Sequence, residues 1–363
     1  MTQELVAERL GIPRSAVSEI ETGKRELSAT ELFELAKLFG EPMEYLLGRE
    51  EHRPEEELVM LRADAITPLT RAELRRFATR CQDYRQLEEW TGEVREPDLR
   101  KPNRILATFE QAQMLADEER KRLDLGLTPA HQLLDVLEER IGIKVLLMQL
   151  DEGISGASIS SPRFGPAILV NGNHPAGRRV FTLAHEYFHL LTEGRVANSK
   201  GARAAYLCEA RRPDEKKDRA EQLADQFAGQ LLMPRQHFVE QLQRLVRGNK
   251  MIEALDLIGV ARYFGVSVQA VFVRMAALKI VPWDVADKAY NDPEVQDSIR
   301  NGGEQSPKPT RFKRLAVKAF LAGEISRSRL AELLDISIVD VDDVVQRYGG
   351  EDARRGVRLA LPH

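Results

Sequence analysis

Two histidines four positions apart, His185 and His189, lie in FTLAHEYFHLL, a run whose apolar residues recur at helical spacing. On a helix that spacing stacks both imidazoles on one face, a turn apart, where they can offer two nitrogens to a single ion. Glu186 follows the first histidine and is rotated by about 100° around the axis, so it can reach a water at that ion without ligating it. Its expected role is general base. The plainer reading is an amphipathic helix with surface or satisfied core histidines. Against it stands a second strong helix pattern downstream, AEQLADQFAGQLLM, which is acidic on one side and ends at Pro234.

Paired imidazoles suit zinc, and a catalytic zinc takes three protein ligands and keeps one position open. The third donor must come from elsewhere in the chain. Glu221 is the choice, because Leu223, Phe227, Leu231 and Leu232 supply a buried stripe on its helix. Ala224 and Ala228 there allow close packing against the first helix. Glu193, Glu209 and Asp225 stay open on spacing alone, and a solvated glutamate is the plain alternative for Glu221. Zinc would polarise a scissile carbonyl and acidify its water, and Glu186 would carry the proton to the leaving amine. His174, Tyr187 and Tyr206 are the candidates for stabilising an oxyanion.

The rest of the chain bounds where this chemistry can live. At 363 residues it exceeds one compact core, so two or three units are expected. With 43% apolar and 30% charged residues, it reads as a soluble, mainly helical protein. No stretch approaches the ~18 apolar residues of a membrane span, and no secretory h-region opens the chain, so the expectation is cytoplasmic, with no membrane partner. Cys81 and Cys208 form no disulfide framework, which agrees with a reducing compartment. A net charge of −4 confines any nucleic-acid binding to local patches.

Periodicity divides the chain into residues 1–48, a compact helical module; 49–101, a helical linker rich in charge; 102–285, which holds the metal motif; and 286–363, a small helical C-terminal unit. In the third segment a helix over residues 130–142 leads into the β-run IKVLLMQL, and PAILVN, closed by Asn171, is a second β-run. Both 257–280 and 327–348 read as helix, turn, helix. The polar stretch 291–310 between them reads as a loop.

FTLAHEYFHLL followed by EQLADQFAGQLLMP resembles the ImmA/IrrE metallopeptidase family, whose pattern is HExxH and then ExxA(N/D)xFAxxLLMP. The likeness covers roughly residues 130–280, including Arg178 and Arg179 ahead of the helix and the segment GVSVQAVFVRM. It implies a zincin-like domain with a small sheet, in which His185, His189 and Glu221 hold zinc and Glu186 is the catalytic acid and base. It also implies a partner that is cut: a small helix-turn-helix repressor whose loss releases stress, DNA-damage or phage-defence genes. Asn171 would close an exposed edge strand that binds extended substrate; an ordinary strand capped by a turn competes with that role. Cys208 lies in a segment similar to ones where family members carry a cysteine. As a fourth, inhibitory zinc ligand it would close the site as a latency switch; as a small apolar core residue it would not.

Residues 1–48 resemble an Xre-type helix-turn-helix from its second helix onward. If residues 14–22 form the recognition helix, Arg14, Ser15 and Glu19 face the groove, and Lys24 and Arg25 reach phosphates. Yet residues 1–49 carry six Lys/Arg against nine Glu, a handicap for any phosphate binder, so docking on a partner repressor competes with reading DNA. Two basic stretches could bind nucleic acid instead. Residues 195–219 hold eight Lys/Arg against four acids, and residues 308–318 hold Lys308, Arg311, Lys313 and Arg314 with Phe312 available for base stacking. Solvated surface charge is the plainer account of both. The last helix pair is a poor DNA reader, because Asp335, Asp340, Asp342 and Asp343 would repel phosphates.

The resulting expectation is a mixed α+β, mainly helical zinc endopeptidase flanked by helix-turn-helix-like modules. Its partners would be a repressor as substrate, DNA as operator or single-stranded activator, and a second copy of the chain. A transcription factor whose zinc domain senses a ligand or holds the fold is the alternative.

Overall fold

The computed structural model describes residues 2–39, 43–47, 68–151, 153–193, 195–197, 205–209, 218–246, 252–301 and 308–350. The chain falls into two compact units, residues 1–82 and 83–363.

In the first unit, α1 (Gln3–Leu10), α2 (Arg14–Glu21), α3 (Ala29–Phe39) and α4 (Met43–Leu46) follow one another closely. Thr2 caps α1 through its hydroxyl, and Gly11 ends it at φ 64°, a left-handed conformation that a side chain would strain. Pro13 then opens α2, so the sequence GIP makes the tight turn between two helices. Val6, Ala7, Val17, Leu35 and Leu38 form the small core, with Leu10, Ile12 and Leu27 around it. The arginine-rich part of the expected linker is helical, α5 (Pro68–Thr91), and it crosses the boundary between the units. Residues 49–67 of that linker lie outside the described residues.

In the second unit, α6 (Phe109–Arg122) begins at a capping box in which Thr108 and Gln111 satisfy each other's end groups. The helix expected over 130–142 is broken into a 3-10 turn, Pro129–His131, a single turn, Leu133–Asp135, and a π-helix, Val136–Arg140. Four strands follow: β1 (Lys144–Met148), β2 (Ile154–Ser161), β3 (Gly165–Asn171) and β4 (Ala205–Glu209). They lie in the order β1-β3-β2-β4, with β1 parallel to β3 and β2 antiparallel to both β3 and β4. This corrects the reading of AILVN as an edge strand. Both sides of β3 are paired, and its near-continuous apolar run is what a strand buried in mid-sheet requires.

The helix carrying the two histidines is α7 (Ala176–Thr192), and the acidic one is α8 (Arg219–Leu232). Phe188 and Phe227 meet between them with ring centroids 5.4 Å apart, both fully buried, and each ring contributes roughly 1.5–3 kcal/mol through burial alone. Pro234 follows α8, and α9 (Arg235–Val246), α10 (Asp256–Phe264) and α11 (Val268–Ala277) close the domain. At Gly177 the first turn of α7 presses on the turn between α10 and α11. A Cβ there would stand 2.1 Å from the Ser267 nitrogen, so only glycine fits.

Beyond it lie α12 (Trp283–Tyr290) and α13 (Pro293–Asn301), the second of which is a helix inside the stretch expected to be a loop. Its polar composition hides a capped, strongly amphipathic turn pattern that buries Val295. The last described helices are α14 (Arg311–Leu321), α15 (Arg327–Leu334) and α16 (Val341–Tyr348). No single helix among the described residues is long and apolar enough to cross a membrane.

Candidate metal centre

The packing of α7 on α8 brings three side chains together. His185 Nε2 lies 3.2 Å from Glu221 Oε2, His189 Nε2 lies 3.2 Å from Glu221 Oε1, and the two Nε2 atoms are 3.1 Å apart. Ligands at the usual bond lengths of a tetrahedral zinc, roughly 2.0–2.1 Å, stand about 3.3 Å from each other. Each of these separations matches the spacing of two ligand atoms around such an ion, with the two histidines approaching different oxygens of Glu221, and the donor set of two imidazoles and a carboxylate fits zinc. His185 and His189 are buried, and Glu221 is open to solvent on one side. Burial pushes the Glu221 carboxyl up, but the adjacent imidazoles, His189 foremost, hold it well below the usual carboxylate range.

Around this cluster the neighbours are also ordered. Asp225, one turn after Glu221 on α8, places Oδ1 3.0 Å from His185 Nδ1. It is therefore no rival ligand. A carboxylate there keeps the proton on Nδ1 and leaves Nε2 bare for a metal. Glu193, another alternative, pairs with Lys101 at 2.6 Å. Glu209 lies on β4, and its side chain is outside the described residues.

Glu186 is fully buried beneath β2. Gly156 of that strand stands so close to α7 that a Cβ would fall 2.6 Å from Thr182 Cγ2, 2.7 Å from the Leu169 carbonyl oxygen and 3.2 Å from Glu186 Oε1. This glycine was not singled out by sequence, because ISGASISS carries no signal except an alternation of small residues. Cys208 is the register partner of Gly156 across β2 and β4, and its side chain lies outside the described residues.

Several expected site residues are placed elsewhere. Asn171 is buried, and its side-chain amide donates to the Leu150, Asp151 and Ile154 carbonyls while its oxygen accepts from the Asn173 and Leu150 nitrogens. That corrects its reading as a substrate contact: it ties two loops to the end of β3. Tyr187 points away from the metal face, donating to Glu119 at 2.5 Å and accepting from Arg122. Burial and Glu119 push its phenol up. His174 is buried on the turn before α7, and the side chain of Tyr206 is outside the described residues.

The basic stretch at residues 308–318 is likewise corrected. Arg311 is buried on Glu88, Phe312 packs against Tyr84 with centroids 5.2 Å apart, and Arg314 pairs with Glu93 and Glu139. Lys313 lies over the Tyr348 ring, and Lys308 is exposed. Arg311 and Phe312 belong to the inner face of α14 while Lys308 and Lys313 stay exposed, so no ring is left for base stacking. Residues 198–204 and 210–217 of the other basic stretch lie outside the described residues.

In the helix-turn-helix, Arg14, Ser15, Glu19 and Lys24 are on or beside α2 and largely exposed, with Arg14 paired to Glu4 at 3.0 Å. Arg25 is turned inward onto Glu31 at 2.7 Å, which corrects its reading as a phosphate contact. The Ser28 nitrogen and Arg25 together hold Glu31 down at about 2, so the pair persists at any ordinary pH.

Residues 138–276 match the family model of the IrrE N-terminal-like domain of Peptidase_M78, and residues 1–46 match a helix-turn-helix domain. The three donors and Glu186 all fall within the first match. No curated protein matches the chain.

Proposed function

We propose, from the premise that residues 138–276 are a Peptidase_M78 domain and residues 1–46 a helix-turn-helix domain, that the chain is a zinc-dependent endopeptidase cutting one regulatory protein. The observation that carries this reading is the cluster of His185, His189 and Glu221, in which the imidazole nitrogens lie 3.1 Å apart and each lies 3.2 Å from one Glu221 oxygen, beside a buried Glu186. A bound zinc would supply Lewis acidity, polarising the scissile carbonyl.

The chain's own residues do the rest. Glu186, held by α7 and covered by Gly156, takes the proton of the attacking water and returns it to the leaving nitrogen. Asp225 keeps His185 in one tautomer and one orientation. β4 is an edge among the described strands, and an extended substrate would add to it through main-chain hydrogen bonds. The substrate we favour is a small helix-turn-helix repressor. The module at residues 1–46 would dock on it, a role that suits the inward Arg25 and the excess of glutamates better than reading DNA.

The direct test incubates the zinc-loaded full chain with a small helix-turn-helix protein that a neighbouring gene encodes, once that gene is identified. Defined cleavage is expected, and Glu186→Gln should slow it by about 10²–10⁴-fold. An intact partner with wild-type protein, or equal cleavage by Glu186→Gln, refutes the reading.

A further inference from the structure

Two turns ahead of His185 on α7, Arg178 returns to the same side of the helix, because seven residues turn the chain through almost two full revolutions. Those seven residues rise about 10 Å, the span of roughly three residues of extended peptide. Arg178 is half-buried, and Ser155 is the one hydrogen-bond partner of its guanidinium among the described residues, accepting from Nη2 at 3.2 Å. No carboxylate pairs with it there, whereas the similarly enclosed Arg122 and Arg311 each hold a glutamate. Burial pulls its guanidinium down, and Tyr290 stands near enough to oppose that shift.

His174 completes the surroundings. It is only 8% exposed, and its Nδ1 is sealed from solvent with no hydrogen-bond partner. Burial and the neighbouring Arg178 charge push the imidazole down to about 4, so it is neutral and Nδ1 can carry a proton to donate. Among the described residues the guanidinium has no counter-ion, and an enclosed charge of that kind stands at a cost unless an acceptor arrives. A carboxylate satisfies it, since it offers two oxygens and matches the fork of an arginine, and the neutral His174 alongside brings no competing charge.

We propose that Arg178, with His174 and Ser155 beside it, binds a carboxylate of the peptide substrate about three residues from the scissile bond and so selects acidic cleavage sites. This rests on the peptidase reading above. Arg179, the next residue, faces elsewhere: it lines a small apolar cavity with Val145, Leu147 and Leu183. It is the natural control for charge alone.

The experiment digests a random decapeptide library, with free and with amidated C-termini, using zinc-loaded wild-type, Arg178→Gln and Arg179→Gln full chains, and reads cut positions by mass spectrometry. Wild type and Arg179→Gln should favour Asp or Glu two to four residues from the cut by about tenfold or more. Arg178→Gln should lose that preference while still cutting neutral sequences. A preference that needs the free C-terminus assigns the site to a terminal carboxylate; one that survives amidation assigns it to an acidic side chain.

The proposal is overturned if no acidic preference exists, if Arg178→Gln keeps it, or if Arg178→Gln loses all cleavage uniformly. If wild type cuts nothing, the peptidase reading falls by itself. The site is then judged on anisotropy of an Asp-rich decapeptide and its Asn counterpart with zinc-loaded protein. About tenfold tighter binding of the acidic peptide, lost in Arg178→Gln, supports it, and equal binding overturns it. Equal zinc stoichiometry in all variants shows that the fold has survived.

Discussion

Removing the carboxylate behind His185 tests the metal centre without touching a ligand. Asp225 Oδ1 lies 3.0 Å from His185 Nδ1, and its side chain is one quarter exposed, at 25%. In Asp225→Asn the amide oxygen still accepts from Nδ1, so the ring keeps its tautomer and loses only the negative charge. In Asp225→Ala both the charge and the hydrogen bond go, and the ring is free to swing. Loss of such an outer partner weakens metal binding about 10–100-fold, or about 1.4–2.7 kcal/mol. The asparagine variant should fall near the lower limit and the alanine variant near the upper. Competition against a chromophoric zinc chelator at neutral pH measures both. Glu240→Gln removes a carboxylate 3.4 Å from His237, an imidazole outside the cluster, and should change nothing. If Asp225→Ala binds zinc within twofold of wild type while His189→Ala does not bind, the carboxylate does not orient the ligand, and the reasoning is wrong.

Gly156→Ala should cripple proteolysis and lower stability by about 1–3 kcal/mol, because its Cβ would overlap Thr182 and the Leu169 carbonyl; unchanged melting and turnover would contradict the close approach of β2 to α7. Glu88 is fully buried between Lys144 at 2.9 Å and Arg311 at 2.5 Å, so Glu88→Gln leaves two enclosed cations facing each other and should cost about 3–5 kcal/mol in urea unfolding. A loss below 1 kcal/mol would mean that water reaches the cluster. Burial raises the Glu138 carboxyl to about 8, against the partial relief of the Tyr84 hydrogen bond. The folded state thus holds a proton that the unfolded chain releases near its ordinary value of 4.5, so this group makes stability fall between about pH 4.5 and 8 and level off above. Glu138→Gln should flatten that slope in urea titrations across the window, and an unaltered slope would show that the carboxyl is ionised in the fold.

How much of this could be read from sequence differs by element. The α7 and α8 helices are long, periodic and bounded by clear stops, and their boundaries and apolar faces follow from local pattern. The same pattern misplaced β3, since a run of apolar residues reports burial but not which strands lie on either side. It also misassigned residues 308–318. Charge density along a segment says nothing of the acids that other segments bring to it, and Glu88, Glu93 and Glu139 come from far earlier in the chain. Phe312 and Asn171 look like ligand-binding residues in isolation and are packing residues in place.

Sequence alone determined that two imidazoles share one helix face with Glu186 turned about 100° from them, because a helical period of 3.6 residues fixes that geometry without help from the rest of the fold. Only tertiary structure decided which carboxylate meets them. Glu221 and Asp225 lie one turn apart on the same side of α8, and the packing of Ala224, Phe227 and Ala228 against α7 sets the depth and angle at which each arrives. It points Glu221 at the bare Nε2 atoms and Asp225 at the far side of the His185 ring. No local period could have separated these roles, because they depend on where a second helix lies in space.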